Sequence, residues 1–272
     1  MLPRSAIRLL HNLRDRIRLA RISRHAFDSA QLRLKSNHFL KQIFSDDTIE
    51  AKWTADHEAI RSVFGEVDRF GGVNPGDRRA VYYLICGLGP EKVLEVGTHI
   101  GASTLYLARA LKACGDHGTI TTVDLFDVND PATGAWKRRG LELSPQGYAD
   151  QLGCKDRIKF VARPALDFMI EADDKFGLVF LDGDHSAQAV YREMSAALPL
   201  LAPGGLILLH DYYPNGRPLF PDKGVITGPY QALRRITVEN PEICVLPLGD
   251  LPWPTKQGVH TTSLALVFRS ET

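Results

Sequence analysis

The sequence has no C-x-x-C pair, no apolar run long enough to cross a bilayer and no excess of either charge. Its four cysteines, Cys86, Cys114, Cys154 and Cys244, are scattered without metal-ligand spacing, so they read as buried thiols in a reducing compartment. No stretch approaches ~18 apolar residues, so no transmembrane helix is expected. The first residues also lack the continuous apolar core of a secretory signal, which makes a cytoplasmic setting the expectation. A formal charge of +1 gives no general case for nucleic acid or acidic partners. The dinucleotide pattern G-x-G-x-x-G is missing too, because His99 stands where its second glycine would be needed.

What is present suits a soluble α/β protein: 272 residues, 44% hydrophobic and 24% charged, enough to bury a full core. The balanced charge hides a local excess. Residues 1–40 hold nine Lys and Arg against Asp15 and Asp28, a net of +7. Residues 1–60 read as helical, with Leu10, Leu13, Ile17 and Ala20 at helical spacing and Arg16 and Arg24 intruding on that face. We expect an N-terminal helical extension over residues 1–75 and a main domain over 76–272. The basic helix has three readings. It packs on the main domain or on a second subunit of a homo-oligomer, it contacts an anionic membrane surface peripherally, or it is a targeting peptide.

From residue 93 onward strands and helices alternate. Strands are expected at 93–96, 119–123, 158–161, 178–181 and 205–209, with helices at 102–113, 164–172, 187–200 and 228–236. Two final strands, 243–246 and 263–268, have no helical pattern between them. This predicts a doubly wound, Rossmann-like, seven-stranded and mostly parallel sheet with one antiparallel edge strand.

In such sheets ligands sit beyond the carboxyl ends of the strands. Around Glu95-Val96-Gly97-Thr98-His99-Ile100-Gly101-Ala102-Ser103 a strand ends in a glycine turn and a helix begins, so bare backbone can meet a ligand. A carboxylate at Glu95 repels a pyrophosphate but can hold an ammonium group. That suits the amino acid end of S-adenosylmethionine better than NAD. Ser103 could meet a carboxylate at the helix N-terminus or simply cap the helix. Asp124, ending the next strand, can accept two hydrogen bonds from a ribose diol. Asp182-Gly183-Asp184-His185 crowds ionisable groups at a third strand end, where a cation or a substrate hydroxyl could use them. His185 suits removal of a hydroxyl proton. Asp182 and Asp211 could together hold a hard divalent ion such as magnesium.

With Leu200-Leu201-Ala202-Pro203-Gly204-Gly205 leading to His210-Asp211, these segments occur in an order that resembles the class I S-adenosylmethionine-dependent methyltransferases over residues 80–215. The likeness is greatest to small-molecule O-methyltransferases of the catechol type and of the sugar- and antibiotic-tailoring group. It implies that Glu95, Gly97, Gly101 and Ser103 hold the methionine part of the cofactor, with Thr98 and Asp182 also at the cofactor, His99 near the transferred methyl and Asp124 on the ribose. It places metal-binding aspartates at Asp182 and Asp211, and His185 where the catechol type carries its lysine base. Tyr212 stands where that type has an asparagine ligand, and Ala162-Arg163-Pro164-Ala165 lies where the adenine should approach.

The expected activity is methyl transfer to a hydroxyl of a small molecule such as a sugar, a phenol or a glycosylated natural product. Specificity would come from residues 126–144 and 212–227, with Trp136, Tyr148, Tyr212, Tyr213 and Phe220 as candidate pocket aromatics. Two alternatives stay open: another S-adenosyl-cofactor transferase, and a noncatalytic scaffold docking a partner through its basic N-terminus.

Overall fold

The computed structural model describes residues 4–34, 37–65, 72–115 and 117–269. Lys35 of the basic N-terminal set, and residues 66–71 beside the expected domain boundary, lie outside the described residues.

Seven strands form one sheet: β1 (Lys92–Val96), β2 (Thr119–Asp124), β3 (Ile158–Ala162), β4 (Phe176–Leu181), β5 (Leu201–Leu209), β6 (Ile243–Pro247) and β7 (Ala265–Arg269). Their order is β3-β2-β1-β4-β5-β7-β6. The first five run parallel, whereas β7 pairs antiparallel with both β5 and β6, so the edge strand β6 joins the sheet through an antiparallel ladder. The order reverses beside β1, and this is where parallel sheets open a crevice.

Period-two alternation sends side chains to both faces, and both faces are covered. Leu178, Phe180, Leu206 and Leu208 join one core with helices α2 (Asn37–Phe44), α3 (Asp47–Phe64), α4 (Pro75–Leu88) and α5 (Ala102–Cys114). Val179, Leu181, Ile207 and Leu209 join the other, which takes in α8 (Ala165–Glu171), α9 (Ala187–Ala197) and α10 (Gly228–Glu239). The long connection after β2 carries two short helices, α6 (Ala135–Arg138) and α7 (Pro145–Gln151).

The N-terminal segment crosses between the faces. Helix α1 (Arg4–Ala20) packs on α9 and α10, while α2 and α3 pack on α4 and α5. The row Leu10, Leu13, Ile17 faces solvent, at 54%, 52% and 45% exposure. Contact with the protein is made instead by the opposite side. Leu19 is buried, the Asp15 carboxylate accepts the backbone N–H of Ala187 at 2.8 Å, and Asn12 pairs with Thr227 at 2.8 Å.

The expectation of four free thiols is corrected. Cys86 and Cys114 form a disulfide, while Cys154 is buried and free and Cys244 is half-buried and free. The bonded pair ends two helices that flank β1 in sequence and pack side by side, so β1 and its crossover bring their C-terminal ends together. The reducing-compartment argument therefore does not extend to these two cysteines. Among the described residues no helix is long and apolar enough to cross a membrane.

Candidate active site

The turn after β1 is built around a buried acid. Glu95 is fully buried, and its oxygens accept hydrogen bonds from Ser103 Oγ at 2.5 Å, Thr104 Oγ1 at 2.5 Å and Thr122 Oγ1 at 2.6 Å. Burial pushes its pKa up to about 7; the three hydroxyls oppose the rise and the nearby Asp182 charge adds to it. Thr98 is buried beside them, its hydroxyl 2.6 Å from that of Thr122. Gly97 has φ +97°, and a Cβ there would lie 2.3 Å from the Asp182 carbonyl oxygen. Only glycine lets the tips of β1 and β4 come this close. Gly101, at φ +80°, precedes α5 and faces Pro145. Asp124 closes the turn, its Oδ2 accepting the His99 backbone N–H at 2.8 Å.

A cleft of about 1030 Å³ opens across these strand ends, with Gly97, His99, Asp124, Asp182, His185 and Asp211 on its wall. Six of the residues singled out from the sequence are thus brought to one surface. Glu95, Thr98, Gly101 and Ser103 are not on that wall and stand behind the turn. Burial lowers the His99 pKa, and Arg139 lowers it further.

The acid and imidazole groups form two linked pairs. His210, buried at the end of β5, places Nδ1 2.6 Å from Asp182 Oδ1 and Nε2 3.3 Å from Asp77 Oδ2. Burial alone would lower its pKa, but Asp182 and Asp211, with hydrogen bonds to Asp182 and Asp77, hold it well above the ordinary imidazole value. Asp77, on the first turn of α4, is itself buried and bonded by Asn74 and Thr262. On the open side, His185 Nε2 lies 3.5 Å from Asp211 Oδ2. Asp182, His185 and Asp211 each offer a ligand atom within 4.8 Å of the others. Two carboxylates and an imidazole, each half-buried, are a donor set that fits a divalent cation.

Sequence reasoning missed the residues that reach the cleft from outside the strand tips. Asn74 and Pro75 come from the start of α4, Thr255 and Lys256 from the segment before β7, and Glu193 from the middle of α9. None belongs to a motif, so only the fold reveals them. Of the five candidate aromatics, Tyr213 and Phe220 line the cleft. Trp136 and Tyr148 belong to one core and Tyr212 to the other.

Residues 94–212 match the profile of the methyltransferase domain family. A rhamnosyl O-methyltransferase of Mycobacterium bovis is 29% identical over 161 residues, 58% of this chain and 60% of that protein. The chain thus spans 60% of the length of the relative it matches. In fold, the O-methyltransferase TomG from Streptomyces achromogenes, solved with SAM, matches with a TM-score of 0.56 at 18% identity, covering 79% of this chain and 90% of that one. An O-methyltransferase from Bacillus cereus, solved with SAH, gives 0.52 at 20% identity, covering 83% and 92%.

Proposed function

We propose that this chain, which carries a methyltransferase domain of the class I, S-adenosylmethionine-dependent type, is an O-methyltransferase acting on a hydroxyl of a small molecule. The observation that carries the reading is the convergence of Gly97, Asp124, Asp182, His185 and Asp211, from four strand ends, on one cleft. The name of the mycobacterial relative favours a sugar hydroxyl, and a rhamnose-like deoxyhexose is the first acceptor to try.

The residues present fit the cofactor. Gly97 brings the tips of β1 and β4 together on the cleft wall beside the amino acid end, and Asp124 offers its carboxylate to the ribose diol. Glu95, closed in by three hydroxyls, secures the turn and the start of α5 from behind and does not meet the ligand itself. Bound there, S-adenosylmethionine supplies an electrophilic methyl carried on a sulfonium.

His185 takes the proton of the acceptor hydroxyl as the oxygen bonds to the methyl carbon and the carbon–sulfur bond breaks. Asp211, 3.5 Å away, orients that imidazole. Asp182 and Asp211 would hold a divalent ion, which when bound lowers the pKa of a coordinated hydroxyl. His185 cannot use one lone pair both as base and as a third ligand, and its role here is the base. Holding acceptor and methyl in line supplies most of the acceleration.

The partner reading extends to α1. Ile7, Leu9, Leu10, Leu13 and Ile17 are 44–70% exposed, with Arg14, Arg16 and Arg18 beside them. An apolar row edged by arginines suits peripheral contact with an anionic lipid surface.

The test is transfer of a labelled methyl group from S-adenosylmethionine to a panel of deoxyhexose glycosides, other sugars and phenols, read by mass spectrometry. O-methylated product is expected. Cofactor binding without product on any hydroxyl acceptor would favour the scaffold.

A further inference from the structure

Asp77 is a buried acid to which the proposed chemistry gives no task. It lies on the first turn of α4 with no surface exposed, and three residues bond its carboxylate. Asn74, which caps α4, donates from Nδ2 to Asp77 Oδ2 at 2.7 Å and accepts the Asp77 backbone N–H at 3.1 Å. Thr262, shortly before β7, donates from Oγ1 to Asp77 Oδ1 at 2.5 Å. The third partner is His210, whose Nε2 lies 3.3 Å from Asp77 Oδ2. The start of α4 is itself fastened to the segment before β7. Trp253 Nε1 donates to the Gly76 carbonyl at 2.9 Å, and a Cβ on Gly76 would lie 2.5 Å from the Pro254 carbonyl oxygen.

The other ring nitrogen of His210 meets the cleft acids. Nδ1 lies 2.6 Å from Asp182 Oδ1 and 3.8 Å from Asp211 Oδ1. One imidazole thus reaches both carboxylates through the same nitrogen, while Asp211 turns its Oδ2 toward His185. Two carboxylates this close repel each other, and a donor near both opposes their separation. A buried acid joined to an imidazole adds less stability than apolar packing of the same volume can. The pair is better explained by what it holds in place.

Resting on the metal reading above, we propose that Asp77 is a positioning residue for the divalent-ion site. It fixes the His210 ring, and the ring fixes Asp182 and Asp211 at ligand spacing. Asp77 itself touches neither ion nor acceptor. Removing a group that holds metal ligands by hydrogen bonds typically costs roughly 10- to 100-fold in metal affinity. Asp77 and Thr262 both lie outside residues 94–212, so this ion site depends on segments beyond the family match.

Calorimetry on the full chain tests this, with manganese(II) as the ion and S-adenosylhomocysteine as the control ligand. D77A should weaken manganese binding roughly tenfold or more and leave S-adenosylhomocysteine affinity within about twofold. H210N separates positioning from packing, because the asparagine amide can stand in for Nδ1 but not for Nε2. In an H210N background, D77A should alter manganese affinity by less than about twofold. T262V removes one hold on Asp77 while keeping its charge, and should weaken manganese binding by roughly threefold to tenfold. Unchanged manganese affinity in D77A, or in T262V should D77A fail to fold, would overturn the assignment. So would an equal loss in both His210 backgrounds, since Asp77 would then act without the ring. If the unsubstituted protein binds S-adenosylhomocysteine but not manganese, the metal reading falls and this inference with it, while the cofactor reading stands.

Discussion

His185 Nε2 and Asp211 Oδ2 face each other at 3.5 Å across the mouth of the cleft, although they come from separate strand ends. Their elements explain the meeting. His185 follows β4, Asp211 follows β5, and these strands are parallel neighbours. The proposed base and its orienting carboxylate would thus come from adjacent strand ends. H185A should keep cofactor affinity while turnover falls roughly 10²-fold or more. D211N, which removes both the orienting group and a proposed metal ligand, should lower turnover at least as far as H185A. Calorimetry and initial rates separate binding from chemistry, and an undiminished rate in H185A would remove the histidine from the mechanism.

Asp182, His185 and Asp211 have the spacing to hold a divalent ion. Exhaustive chelation should abolish turnover, and added magnesium should restore it. Full activity in chelated, metal-analysed protein would limit the two aspartates to orienting and charge roles.

Gly97 is the tightest crossing in the site. At φ +97°, and with a methyl group at this position only 2.3 Å from the Asp182 carbonyl oxygen, G97A is both strained and crowded. The expected loss of stability is roughly 2–5 kcal/mol, read from urea unfolding, with cofactor binding lost in the variant that still folds.

Glu95 makes stability depend on pH. Its pKa is about 7 in the folded chain against 4.5 for an ordinary glutamate, so between those values the folded state carries the extra proton. Stability from this group is therefore greatest in acid and declines as pH rises, by up to ~3 kcal/mol once pH exceeds 7. E95Q stays neutral and should flatten this part of the profile. Urea midpoints at pH 5 and pH 8 would show it, and an identical slope in E95Q would refute the assignment.

The exposed row of α1 should bind vesicles containing anionic phospholipid and ignore neutral ones. L10E/L13E should abolish co-sedimentation while leaving turnover on a water-soluble acceptor intact. Equal binding to neutral vesicles would argue against the arginine contribution.

How far the sequence could reach depends on how each residue arrives at the cleft. Gly97, Asp124, Asp182, His185 and Asp211 follow hydrophobic strands, and a parallel sheet puts all such ends on one rim. Glu95 also ends a strand run, yet side-chain alternation turns it toward α5 and not toward the rim. Asp77 and Glu193 sit within helices, where an acid reads as an ordinary polar position until packing encloses it. The α1 stripe is visible in the sequence, but amphipathicity alone does not say which side meets the protein. Asn12, Asp15 and Leu19 decide that. The Cys86–Cys114 bond leaves no sequence signal, since helix pairing and not spacing creates it.

Residues 72–75 and 255–257 line the cleft, yet both groups fall outside the stretch 94–212 that matches the methyltransferase family. A version trimmed to the recognisable core would lack two sides of its own binding chamber. Inactivity in such a fragment would reveal nothing about the intact chain, and grafting the core onto another scaffold would leave those two walls behind.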